Sequence, residues 1–139
     1  MELKVVRITE SDYPVFCKWW KFFRFPAPPL DFLPNNGFGG LKVYLLKVNG
    51  ETEDVCAGYL YETNSKVAWL EFIVSNPNVR DKKIRHEAIV DLIRYLTVDA
   101  KNKGYEYVFA SLKNENLIEK YKEVGYSESK GHVEMVIKL

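Results

Sequence analysis

Residues 68–85 read Ala68-Trp69-Leu70-Glu71-Phe72-Ile73-Val74-Ser75-Asn76-Pro77-Asn78-Val79-Arg80-Asp81-Lys82-Lys83-Ile84-Arg85. The run Lys66–Val74 is nearly continuous in apolar residues from Ala68 onward, the pattern of a central strand buried on both faces. Beyond it Ile84, Ala88, Ile89, Leu92, Ile93, Leu96 and Ala100 recur at helical spacing and form one apolar stripe. Gly104 follows as a helix stop. A central strand that passes through a proline turn into a long amphipathic helix is the start of an α/β layer.

The turn itself is charged. Four cations, Arg80, Lys82, Lys83 and Arg85, stand within six residues, with Asp81 among them. A helix N-terminus carries about half a positive charge and prefers anions. Cations there make sense if the free backbone N–H groups and the side chains together receive a polyanion. The plain alternative is a solvated charged turn.

Working outward toward the N-terminus, Val55–Tyr61 and Leu41–Val48 read as two further strands. They are joined by Asn49-Gly50, a hairpin turn signal, and a Thr63-Asn64-Ser65 turn leads on to the central strand. Pro26–Gly40 holds four of the six prolines and three of the eight glycines, so it is loop. It is apolar for a loop, with Leu30, Phe32, Leu33 and Phe38, and is expected to be an ordered lid or a wall on the substrate side. Gly37-Phe38-Gly39-Gly40 is not a phosphate loop, since a strand follows it. Leu3–Ile8 reads as the first strand. Thr9 then caps a helix whose apolar face is Val15, Phe16, Trp19, Trp20 and Phe23. The block Lys18–Phe25 interleaves aromatics with Lys18, Lys21 and Arg24. Base stacking or membrane contact are open to it, but core aromatics with a wet basic side fit better.

Toward the C-terminus, Tyr107–Ala110 is a short buried strand, Asn116–Glu123 a short helix stopped by Gly125, and Val133–Leu139 a final strand. The order is β-α-β-β-β-α-β-α-β. This predicts one α/β domain over residues 1–139, with a mixed, mostly antiparallel central sheet flanked by helices. The length of 139 residues suits one domain, and 47% hydrophobic with 28% charged residues is ordinary globular usage. A net charge of +1 gives no general attraction to nucleic acid or to membranes. No apolar run is long enough to span a bilayer, and no secretory signal is evident. Cys17 and Cys56 lack Cys-x-x-Cys spacing and read as reduced, buried thiols of a cytoplasmic protein. No metal site is expected from His86 and His132.

The C-terminal helix carries a second signal. Asn114, Tyr121 seven residues on, and Gly125-Tyr126 four beyond that have the spacing of a motif. An amphipathic helix with Tyr121 in the core is the plain reading. Taken with the basic turn and the element order, however, the chain resembles the GNAT superfamily of N-acetyltransferases over nearly its whole length. In that family a strand, a proline and an Arg-x-x-Gly-x-Gly/Ala loop lead into a helix, and the loop's amides hold the pyrophosphate of acetyl-coenzyme A. Pro77 and Arg80 stand at the matching positions. Lys83 and Arg85 replace the two small residues that let backbone approach a phosphate. In length the chain is similar to acetyltransferase-like proteins often seen in phage genomes.

The resemblance implies an acetyl-CoA-dependent N-acetyltransferase. It implies backbone contacts to the pantetheine arm from Phe72, Ile73 and Val74. It also implies cofactor contacts at Arg80, Lys82, Lys83, Ile84, Arg85 and Asn114. Tyr121 would give a proton to the departing thiolate, since a thiol pKa of ~8.5 and a tyrosine pKa of ~10 are close. Glu71, the one carboxylate in its strand, is the candidate base for the attacking amine, as burial would raise its pKa. It has two alternatives: a place on the wet face, or a lysine partner. The acceptor is an amine of a small molecule or a protein, and the oligomeric state stays open, a homodimer included. The other reading is a non-catalytic module that has lost acetyl-CoA and binds a partner through the 26–40 loop.

Overall fold

The computed structural model describes residues 1–139. Five strands form one sheet in the order β1-β2-β3-β4-β5: β1 (Glu2–Arg7), β2 (Gly40–Leu46), β3 (Thr52–Tyr61), β4 (Val67–Ser75) and β5 (Tyr107–Phe109). The first four are antiparallel neighbours, and β5 runs parallel to β4. Three helices cover the sheet: α1 (Tyr13–Phe22), α2 (Lys82–Asn102) and α3 (Glu115–Val124). No helix is long and apolar enough to cross a membrane.

β3 sits at the centre and is buried on both faces, with every residue from Val55 to Leu60 out of solvent. Cys56 and Leu60 join Val43, Leu45, Ala68 and Leu70 beneath α2, which contributes Ala88, Leu92, Ile93, Leu96 and Ala100. Ala57 and Tyr59 face the other way, toward Phe16, Trp19 and Trp20 of α1. Each fully buried Val, Leu, Ile or Phe among them is worth ~1.5–3 kcal/mol. The apolar run in β4 points to that strand as the centre, but the sheet gives the place to β3. In the order β1-β2-β3-β4-β5 the middle place falls to β3, and β4 has its outer neighbour only over Val67↔Tyr107, Ala68↔Val108 and Trp69↔Phe109.

The α1 face is narrower than its spacing predicts. Phe16, Trp19 and Trp20 are buried, while Val15, Phe22, Phe23 and Phe25 are exposed. The helix ends at Phe22, and Arg24 turns the chain through a left-handed conformation at φ 57°. Phe23 is already the C-terminal cap, outside the helix, and leaves the stripe there. The 26–40 segment is ordered by two short 3-10 turns, Leu30–Phe32 and Pro34–Gly37. Neither cysteine is bridged; Cys56 is buried and Cys17 half-buried.

The expected final strand is not formed. Val133, Met135, Val136, Ile137 and Leu139 are exposed and the segment has no ladder partner. β5 is three residues long, too short an edge to hold a seven-residue strand in register. The observed order therefore ends β-α.

Candidate active site

The site begins with a defect in the sheet. Ala57 pairs with Val74 and Tyr59 with Glu71, so Phe72 and Ile73 together oppose Gly58. This is a bulge, and Phe72 takes a left-handed φ of 57°. A bulge bends its strand and re-aims its backbone. It is made possible from behind by Gly58, where a Cβ would lie 3.0 Å from Ile73 Cγ1 and 3.3 Å from Leu96 Cδ1. β4 and β5 separate after Trp69, so from Leu70 to Ser75 one edge of β4 has no strand partner. The gap opens at the carboxyl ends of two parallel strands. α2 and α3 both start from that end.

Two ionisable groups meet at this gap. Glu71 is half-buried, and its carboxylate accepts from the Ser111 amide at 2.8 Å. Burial pushes its carboxyl above the ordinary range; the Ser111 bond works against that rise, and the charge of Glu134 adds to it. It has neither a fully wet face nor a lysine partner. Tyr121, on α3, is 2% exposed, and its hydroxyl has no hydrogen-bond partner. Burial pushes this phenol up, with the charges of Tyr126 and Glu71 adding. Its ring packs edge-on against Tyr126, whose own hydroxyl shares a 2.7 Å bond with Thr97 Oγ1.

The apolar loop reaches the same neighbourhood. Tyr61 donates its hydroxyl to the Phe32 carbonyl at 2.7 Å, and its ring lies 6.3 Å from that of Phe72. Burial pushes the Tyr61 phenol up to about 12, and the Glu71 charge contributes. A wall built from the 26–40 segment therefore stands beside the bulge.

The basic turn is less uniform than its sequence. Arg80 and Lys82 are exposed and unpaired. Lys83 lines a hollow with Met1, Leu45, Asp81, Glu87 and Asp91, on the β1–β2 side of α2. Arg85 turns back to β4, where its Nη2 donates to Ser75 Oγ at 3.1 Å and its Nε is buried without a partner. Asp81 caps α2, its Oδ1 accepting from the Lys83 and Ile84 amides at 3.0 and 3.2 Å. Asn114 caps α3 in the same way, accepting from the Leu117 amide at 3.1 Å.

No protein-family model matches the chain, and no curated protein matches its sequence. Solved structures do match. A probable acetyltransferase aligns at a TM-score of 0.67 and 17% identity, over 98% of this chain and 97% of that one. A glucosamine-6-phosphate N-acetyltransferase from Arabidopsis thaliana aligns at 0.63 and 12%, over 99% and 100%. The N-acetylglutamate synthase of Neisseria gonorrhoeae, solved with coenzyme A and L-arginine, aligns at 0.65 and 12%, over 92% of this chain and 28% of that longer one.

The chain has the GNAT fold. Within it, the bulge at Phe72 and Ile73, the half-buried Glu71 and the buried Tyr121 fall at one gap, while the basic turn divides. Two residues at the GNAT-fold gap had no signal in the sequence. Ser111 holds Glu71 through its amide and gives its hydroxyl to the Glu134 carboxylate, so one residue bridges two acids. The contacts span 40 and 23 residues, and no local pattern reports them.

Proposed function

We propose that the chain is an acetyl-CoA-dependent N-acetyltransferase acting on an amine of a small molecule or a protein. One observation carries the reading: a buried tyrosine hydroxyl without a partner, beside an unpaired strand edge and a half-buried carboxylate. An orphaned buried hydroxyl costs ~1–3 kcal/mol and is tolerated where a ligand completes it.

The residues fit the cofactor at its thioester end. Phe72, Ile73 and Val74 offer free backbone groups for the amides of a pantetheine arm. At the phosphate end Arg80 and Lys82 offer charge. The cofactor supplies an acetyl group activated as a thioester. Glu71 takes the proton of the incoming ammonium, whose ordinary pKa is ~10.4. The raised carboxyl suits this work, since a base is most effective with a pKa near the working pH. With the thioester bound, the amine nitrogen would bond to the acetyl carbon as the carbon–sulfur bond breaks, and the second proton of that nitrogen would pass to the departing thiolate, directly or through water. Burial lifts Tyr121 further above the thiol's ~8.5, so Tyr121 keeps its proton and donates a hydrogen bond to the departing sulfur.

The second reading, a GNAT-fold module without cofactor, draws on Asp81, whose carboxylate covers the Lys83 and Ile84 amides of the α2 start. Isothermal titration with acetyl-CoA and CoA separates the two. Binding is expected, with ~2.7 kcal/mol of stabilisation at 100 times the Kd. Absence of heat and of any melting shift at millimolar cofactor favours the module. A panel of amines with a thiol-release readout then identifies the acceptor.

A further inference from the structure

The first turn of α2 offers the N–H groups with which a helix start receives a phosphate. In this chain a carboxylate already holds them. Asp81 Oδ1 accepts from Lys83 N and Ile84 N, and the Asp81 carbonyl accepts from Arg85 N at 3.0 Å. The cap is compact, uses an acid at the end of the helix that favours one, and takes up the Lys83, Ile84 and Arg85 amides, leaving Lys82 N as the one free amide of that turn. A second anion brought to the same amides meets the Asp81 charge at contact distance. The side chains follow the same division. Arg85 is committed to Ser75, and Lys83 faces the hollow that it shares with Asp81, Glu87 and Asp91.

We propose that Asp81 is a built-in anion that occupies the Lys83 and Ile84 amides of the α2 cradle, so that a diphosphate is met at this turn chiefly by the side chains of Arg80 and Lys82. The proposal rests on the acetyl-CoA reading above and makes Asp81 the residue that sets cofactor affinity. Contacts made by exposed side chains weaken as salt screens them, whereas amide contacts at a helix start are buried by their ligand and weaken less.

Two variants divide the charge of Asp81 from its cap. Asp81→Gly frees the amides at little cost in stability, because glycine is itself an acceptable cap. Asp81→Asn keeps the capping oxygen and removes only the charge. Amide spectra of 15N-labelled protein are recorded while CoA, and separately inorganic pyrophosphate, is added; calorimetry gives the affinities and thermal melts verify folding. In the wild type the Lys83 and Ile84 amides stay in place, and CoA affinity falls steeply with salt. Asp81→Gly binds about tenfold or more tightly, with both amides shifting, and Asp81→Asn gains less and shifts neither. Wild-type amides that shift as in the glycine variant overturn the proposal, as does a glycine variant that binds neither ligand more tightly. If CoA fails with every protein while pyrophosphate still shifts the amides of Asp81→Gly alone, the closed cradle stands and the acetyl-CoA reading falls.

Discussion

Tyr121 and Glu71 are read most directly as single residues. Because the Tyr121 hydroxyl has no partner, Tyr121→Phe removes a desolvated group without breaking a bond. The variant is expected to be at least as stable as the wild type in urea titrations and to bind CoA equally well. Its turnover should fall roughly 10²–10³-fold if the hydroxyl donates its hydrogen bond to the departing sulfur. Full turnover would remove Tyr121 from the chemistry. Glu71 makes a prediction with a sign. Burial first, and then the Glu134 charge, raise its carboxyl, so the active ionised form appears at higher pH than for a free glutamate. Glu134→Gln keeps an oxygen for Ser111 and deletes that charge. The Glu71 titration, followed by carboxyl carbon NMR, should move to lower pH, and the acid limb of the rate profile with it. Tyr121 and Glu71 were legible because each stands at a marked place, one at motif spacing and one alone in an apolar strand. Glu134 was not, since a lone glutamate in a run that reads as a strand looks like a residue of its wet face until Ser111 is found beside it.

At the level of elements, the bulge in β4 depends on what lies behind it. Gly58→Ala sets a methyl against Ile73 and Leu96 at less than ordinary contact distance. The overpacking should cost on the order of 1–3 kcal/mol, read as a lower urea midpoint with an unchanged slope. Unchanged stability would mean that α2 and the bulge yield freely. The cap of α2 makes a further case: Asp81→Ala should cost about 1 kcal/mol, and more than Asp81→Gly, because alanine neither accepts a bond nor relaxes the turn. The strands and α2 were legible because their periods are long and unbroken. Asp81 as a cap was hidden by its neighbours: a run of four cations draws the eye to charge, and the acid among them holds the amides. The absent last strand has a different cause. Val133–Leu139 has the composition of a strand, but composition says nothing of whether a partner edge is long enough to receive it.

For the whole molecule, two charged clusters tie distant segments together. Lys42 Nζ bridges Asp12 Oδ1 at 2.8 Å and Asp54 Oδ2 at 3.2 Å, joining the start of α1 to β2 and β3. Asp99 on α2 receives Arg7 from β1 and Lys103, each at 3.2 Å. Burial alone would raise the Asp12 and Asp99 carboxyls, but the bonds to Lys42 and Thr9, and to Arg7 and Lys103, outweigh it and hold both low. A carboxyl with a lowered folded pKa stabilises above its unfolded value of ~3.9, and that stability disappears as pH falls through the folded value. Urea midpoints should therefore be flat from pH 6 to about 5 and drop below about 4; Asp12→Asn should flatten that drop. The sheet has one more property. Its strands lie side by side in the order in which they are made. As each strand from β2 to β5 leaves the ribosome, its partner has already emerged, and no strand waits for one still unsynthesised. Hairpin connections join β2 to β3 and β3 to β4, so much of the sheet closes through short loops, at small entropic cost. The helix that covers one face, α2, is translated directly after the four antiparallel strands it packs on. Growth of the chain and growth of the sheet thus run in the same direction, one strand at a time.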